Sequence, residues 1–240
     1  MKSTTGRSGA AVVGLMFSIL SAGTASAQWH SSAVGVLEYD TKQTWLTLAG
    51  VSASPGSKGI QPIIGLQGYA LGYKSGSTQT HVFTSQPYVG LANNYNGGAL
   101  AGTVGYAFTS NSVSAPVRST VTGDQGKGVV TSGSWDQWGT GGPVGYQVLA
   151  SYNWGGSKSL WTRGRVTTNL TPGGPSQRRV GVELAYLEGK GYSAYQPGGV
   201  LEFHDPRGNI LGLGAGMKFF GNGAGNAVYF KVEGVVPLMR

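Results

Sequence analysis

Beginning at Ala227, the chain alternates with a two-residue period: Val228, Phe230, Val232, Val236 and Leu238 fall on one face, Tyr229, Lys231 and Glu233 on the other. Side chains alternate in this way only along an extended strand. The preceding segment sharpens the contrast, with Leu211, Leu213, Ala215, Met217 and Phe219 on one face and Gly212, Gly214, Gly216 and Lys218 on the other. One face is greasy and the other nearly free of side chains, and glycine and small residues on an inward face fit a narrow barrel with a largely filled lumen.

The pattern recurs. Val180, Val182, Leu184 and Tyr186 alternate with Arg179, Gly181, Glu183 and Ala185, and Val144, Tyr146, Val148, Ala150, Tyr152 and Trp154 alternate with Gly145, Gln147, Leu149, Ser151 and Asn153. Weaker versions lie at 98 to 110 (Leu100, Val104, Tyr106, Phe108) and 60 to 74 (Ile63, Tyr69, Leu71, Tyr73). The 43 glycines would suit a disordered chain, but they sit among the Val, Leu, Tyr, Phe and Trp that form strands. A soluble β-sandwich also alternates. Length separates the two, since several runs reach the roughly 9–11 residues with which a tilted strand crosses hydrocarbon, against about five or six in common soluble strands. Aromatic residues at the ends of the apolar faces (Tyr73, Phe108, Trp154, Phe219) suit an interfacial girdle.

The fold expected is therefore all-β, an antiparallel up-and-down transmembrane β-barrel of about ten strands, or twelve, since bacterial single-chain barrels have an even number. The interval 111 to 142, rich in Gly, Ser and Thr and lacking an apolar face, reads as a surface loop that offers Trp135 and Trp138 for ligand contact.

Residues 1–27 carry the parts of a secretory signal: basic Lys2 and Arg7, the apolar run Ala10 to Leu20, and small residues ending Ala25-Ser26-Ala27. That run is shorter than the roughly 20 residues of a helical span. Cleavage is expected between Ala27 and Gln28, leaving 28–240 as the barrel in the outer membrane. The formal charge of +8 falls to +6 once the two basic leader residues are removed. Lysines and arginines are scattered, so no nucleic acid partner is indicated. Outer-membrane lipid and lipopolysaccharide are the expected surroundings, and the barrel assembly machinery the expected folding partner.

An arginine facing lipid costs roughly 2–4 kcal/mol at the bilayer midplane, so charges on the strands should turn inward. Arg163 and Arg165 share one face, Glu183 lies inward on the next strand, and Lys218, Lys231 and Glu233 read the same way. This lumen cluster reads as a salt-bridged plug or as an anion-selective constriction. Without cysteine there are no disulfides or thiolate metal sites. His30, His81 and His204 lack metal-ligand spacing, and no nucleophile elbow surrounds any serine. His204-Asp205-Pro206-Arg207-Gly208 reads as a turn, and the glycines at 123 to 128 lack the Gly-Lys-Ser/Thr ending of a phosphate loop. No metal, cofactor or enzymatic activity is expected.

Three features give a resemblance to known proteins: Val36-Leu37-Glu38-Tyr39-Asp40 before a Trp-containing strand, the glycine and tyrosine alternation of Gly65 to Tyr73, and the terminal strand closing on Val236-Pro237-Leu238. In them the chain resembles small bacterial outer-membrane barrels and, more loosely, the BcsS family of cellulose-biosynthesis-associated barrels. The ending Pro237-Leu238-Met239-Arg240 departs from the terminal aromatic residue usual in such barrels. The resemblance implies a non-enzymatic accessory role in the envelope or in exopolysaccharide (cellulose) secretion, with exopolysaccharide as a partner. The alternatives are a small anion-preferring channel built on Arg163 and Arg165, and a soluble exported carbohydrate-binding β-protein using Trp135 and Trp138.

Overall fold

The computed structural model describes residues 29–56, 58–75, 78–95, 97–114, 127–137, 143–156, 158–189, 192–221 and 225–239. The expected leader and Trp138 lie outside the described residues. Twelve strands follow one another: β1 (His30–Asp40), β2 (Trp45–Ser54), β3 (Gly59–Ser75), β4 (Thr78–Tyr95), β5 (Gly98–Ser114), β6 (Gly128–Gln137), β7 (Val144–Asn153), β8 (Ser159–Asn169), β9 (Gln177–Gly189), β10 (Tyr192–His204), β11 (Ile210–Phe220) and β12 (Asn226–Met239). Each pairs antiparallel with the next, and β1 pairs with β12 from Ser31↔Met239 to Asp40↔Tyr229, closing the barrel. Twelve is the larger of the two counts expected from the alternation.

The registers carry one parity consistently around the wall. Outward go Leu37, Ile60, Ile64, Val89, Leu91, Val104, Val148, Val182, Leu184, Leu213 and Phe230, all exposed. Inward go Arg165, Arg179, Glu183, Glu202, Lys218, Tyr229 and Lys231, all buried. This is a soluble protein turned inside out, and a continuous apolar outer wall of this extent is stable in hydrocarbon rather than water.

Aromatic pairs mark both rims of that wall. At the end bearing the β1–β2 turn, Tyr195 stacks on Phe219 with centroids 4.9 Å apart, and Trp154 donates to Thr131 Oγ1 at 3.0 Å. At the other end, where His30 and Met239 lie, Trp135 Nε1 donates to the Tyr95 hydroxyl at 2.6 Å and its ring stacks on Tyr146. Amphipathic rings of this kind settle at the level of lipid headgroups.

Three local readings change. The interval 111 to 142 is not one loop: β5 continues to Ser114, and β6 occupies Gly128–Gln137. Its outward positions, Val129, Thr131, Gly133 and Trp135, are too mixed to give a clear apolar face. Trp135 accordingly stands on the outer wall of β6 among rim aromatics instead of in a loop. On β3 the outward residues are Ile60, Pro62 and Ile64, while Ile63 faces the lumen with Gln67. Ile60-Gln61-Pro62-Ile63-Ile64 has apolar residues on both parities, so alternation alone could not orient it.

The turn after β10 is built on Asp205. Gly208 N–H donates to the Asp205 carbonyl at 3.0 Å, Asn209 N–H donates to Asp205 Oδ1 at 2.8 Å, and Gly208 adopts a φ of 80° that favours glycine. Hydrogen bonds from Asn209 hold the Asp205 carboxyl below the usual carboxylate range.

A closed membrane barrel predicts that the folded protein, extracted from membranes, migrates faster on a gel unboiled than boiled. Val182, 67% exposed near the middle of β9, should tolerate arginine poorly: Val182→Arg is expected to cost about 2–4 kcal/mol in urea unfolding from lipid. The same residue introduced at Ser134, on the lumen face, should cost clearly less.

Candidate functional site

The inner wall of β7–β10 and β12 carries a network built from alternate residues of neighbouring strands. Arg165 on β8 is the centre. Its Nε donates to Glu183 Oε2 at 3.0 Å and its Nη1 to Glu202 Oε1 at 2.5 Å, and it also pairs with Glu233. Arg163, two residues back on the same face, donates to Glu233 Oε2 at 2.8 Å and to the Gln147 side-chain oxygen. Lys231 pairs with Glu183 and lies 3.6 Å from Glu233 Oε2. Gln147 Nε2 passes the chain on to Asp136 Oδ1 at 2.7 Å, and His204 Nε2 lies 3.1 Å from Glu202 Oε2.

At its heart three cations, Arg163, Arg165 and Lys231, face three carboxylates, Glu183, Glu202 and Glu233. The balance matters because each ion taken from water costs several kcal/mol unless it is paired and hydrogen-bonded. The Arg165 side chain is only 2% exposed and that of Glu202 is fully buried. The planar guanidinium of Arg165 presents five donors in a fixed fork, which suits three carboxylates arriving from different strands.

A second cluster stands apart. Lys218 on β11 donates to Glu38 Oε1 at 2.8 Å and Asp40 Oδ2 at 3.0 Å, and Gln196 Nε2 donates to the same Glu38 oxygen at 2.9 Å. Asp40 Oδ1 meanwhile accepts the backbone N–H groups of Lys42 and Thr44, fastening the β1–β2 turn. Of the charges that sequence places in the lumen, Arg163, Arg165, Glu183, Lys231 and Glu233 thus share one network, whereas Lys218 belongs to another. Sequence reasoning missed Glu202, Asp136, Gln147, Glu38 and Asp40. The signal for Glu202 was present: Tyr195, Pro197, Leu201 and Phe203 fall on one parity of β10, leaving Gln196 and Glu202 on the other.

The lumen is not filled evenly. A cavity of about 730 Å³ lies against β1–β6 and opens at the end where the first and last strands terminate, among its linings His30, Ser54, Asn94 and Met239. Among the described residues no cluster of His, Asp and Glu is arranged to hold a metal ion. His30 sits at the cavity rim and His81 packs beside Trp45 with ring centroids 5.9 Å apart.

No protein-family model matches the chain, and no curated protein matches it in sequence. Solved structures share its general shape. The translocator domain of autotransporter NalP from Neisseria meningitidis is 11% identical, with a TM-score of 0.48 over 95% of this chain and 94% of that one. The β domain of the Bordetella autotransporter BrkA is 9% identical, with a TM-score of 0.43 over 88% and 98%. OprB of Pseudomonas putida is 9% identical, with a TM-score of 0.36 over 99% of both chains.

Removing the central cation should take from Glu202 its guanidinium partner and leave the network one positive charge short, with Glu183 and Glu233 still paired to Lys231 and Arg163. Arg165→Met is expected to destabilise the folded barrel by about 3–5 kcal/mol, measured by urea unfolding in micelles. Because among the described residues the Lys218 cluster shares no hydrogen-bond partner with the Arg165 network, Lys218→Met combined with Arg165→Met should be additive within about 0.5 kcal/mol. Arg163→Ala with Glu233→Ala, which share a bond, should not be.

Proposed function

We propose that this chain is a non-enzymatic outer-membrane β-barrel that serves as a structural or accessory component of the cell envelope, with the β7–β12 side of its lumen closed by its own ion pairs. The observation that carries the reading is the balance of the network: three cations and three carboxylates bind one another across β8, β9, β10 and β12. An anion-selective constriction calls for basic groups turned toward the passing ion. Here Arg163 and Arg165 are engaged by Glu183, Glu202 and Glu233, so an anion would have to displace carboxylates already in place. The geometry therefore favours a brace over a filter.

The apolar outer wall and the two aromatic rims support insertion in a bilayer, and exported barrels of this kind reside in the outer membrane. Short joints normally face the periplasm and longer ones the exterior. The longest joint, 115–127, connects β5 to β6 at the end away from His30 and Met239, which supports placing that end outside, with Lys42, Lys127 and Lys158 near the anionic groups of lipopolysaccharide. The accessory role in exopolysaccharide secretion that the BcsS resemblance implies is compatible with a braced barrel, because the polymer need not pass through this lumen.

The test is conductance of the purified, folded barrel in a planar bilayer. No steady current is expected across physiological voltages. A steady anion-selective current that disappears in the double variant Arg163→Ala, Arg165→Ala would overturn the proposal in favour of a channel.

A further inference from the structure

The cavity against β1–β6 has no role in that reading, and its chemistry differs from the rest of the lumen. Its wall is lined by Ser52, Gln67, Tyr88, Ser132 and Ser134 among alanines, with Ile63, Pro237 and Met239, and among the described residues no lysine or arginine lines it. Its one carboxylate among those residues, Asp136, is held by the Gln147 amide at 2.7 Å, and Gln147 in turn accepts from Arg163. An anion would find no cationic partner on this wall. A cation would have to compete for a carboxylate already hydrogen-bonded and backed by a guanidinium.

Hydroxyls and amides both donate and accept, so the lining matches an uncharged ligand rich in hydroxyl groups. An apolar ligand would strip water from these groups without replacing their hydrogen bonds. The size is also apt, since small-molecule sites run about 300–1,000 Å³.

We infer that this cavity is a binding site for a neutral, hydroxyl-rich solute of small-oligosaccharide size, entered from the end of the barrel where the first and last strands terminate. Ser134 exchanges hydrogen bonds with its hydroxyls, Ser132, whose own hydroxyl donates to Ser151 Oγ at 3.0 Å, accepts one, and Asp136 accepts another without requiring a counter-charge. The ion network forms the opposite side of the lumen and keeps the wall from collapsing onto the site.

The full barrel, refolded in micelles of an amine-oxide detergent without a sugar headgroup, is titrated calorimetrically with maltotriose as the neutral probe. Trigalacturonate and the trimer of glucosamine are the charged comparisons. Saturable binding of maltotriose at least tenfold tighter than either is expected. It should weaken at least tenfold in Ser132→Ala with Ser134→Val, and stay unchanged in Ser110→Ala on the outer wall, with unboiled gel migration verifying that each variant folds.

Because the chain has no cysteine, a single Ser132→Cys substitution gives an independent reading: a water-soluble thiol reagent should modify the introduced thiol, and maltotriose should slow that reaction. Absence of saturable binding, equal binding of the charged trimers, or a Ser132→Cys variant unreactive even without sugar would each overturn the inference. The first result would mean a cavity that holds water alone, and the last a cavity filled by the protein's own chain. None of these outcomes bears on conductance, so the closed-barrel reading stands or falls separately.

Discussion

In hydrocarbon a backbone N–H or C=O has no water to bond with, and each unsatisfied group costs several kcal/mol. A sheet can meet that condition only by having no edge, which here is the work of the β1–β12 ladder. Everything else in the molecule is compatible with that closure or is shaped by it. Four prolines, Pro62, Pro87, Pro197 and Pro237, lie in strands although none can donate to a ladder. Beside Pro87 the pairing of β4 with β5 skips from Ser85↔Phe108 to Tyr88↔Gly105, and beside Pro197 the pairing of β10 with β11 skips from Tyr195↔Phe219 to Gly198↔Gly216. In both places the register resumes unchanged, so the cost stays local and the cylinder stays closed.

Closing twelve strands leaves an interior that side chains must occupy in some way. Glycine and aromatic residues divide that task. Tyr229 is buried on the inner face of β12, and its ring lies over Gly198 and Gly216, where an added Cβ would collide with it. This explains the bare face that β11 shows in sequence: Gly212 and Gly216 are not merely small, they are the floor on which Glu233 and Tyr229 rest. The ion network fills the neighbouring space in the same fashion, with long arginine and lysine stems reaching across the strands and their charged ends meeting carboxylates.

The fold was legible wherever the two parities of a strand differ strongly in character. β9, β11 and β12 announce their orientation because one parity is Val, Leu, Met and Phe while the other is Gly, Arg, Lys and Glu. On β3 both parities hold isoleucine, and on β6 neither is strongly apolar, so orientation failed in the first and the strand itself was missed in the second. Those strands take their places from their neighbours: β6 is fixed by its ladders to β5 and β7, an interaction that no short window of sequence contains. The same limit applies to the site. Period two puts Arg163, Arg165 and Glu183 on an inner face, but whether Lys218 meets Arg165 or Glu38 depends on how strands distant in sequence lie across the lumen.

The strand missed in sequence, β6, and the strand misoriented, β3, both line the cavity. A wall that leaves space carries fewer of the large and charged residues that make an inner face conspicuous, while its outer face must still be apolar against lipid. Along β7–β12 the inner positions are Arg163, Arg165, Arg179, Glu183, Glu202, Lys218 and Lys231, each buried or nearly so. Along β4–β6 they are mostly small, Ala92, Ala99, Ala101, Thr103, Ser132 and Ser134, beside Tyr88, Asn94 and Asp136. The barrel thus has a braced side and an open side. Gln147 joins them, giving its amide N–H to Asp136 at the cavity and accepting from Arg163 in the brace. Through that glutamine the carboxylate on the cavity wall is tied to the arginine that links β8 to β12.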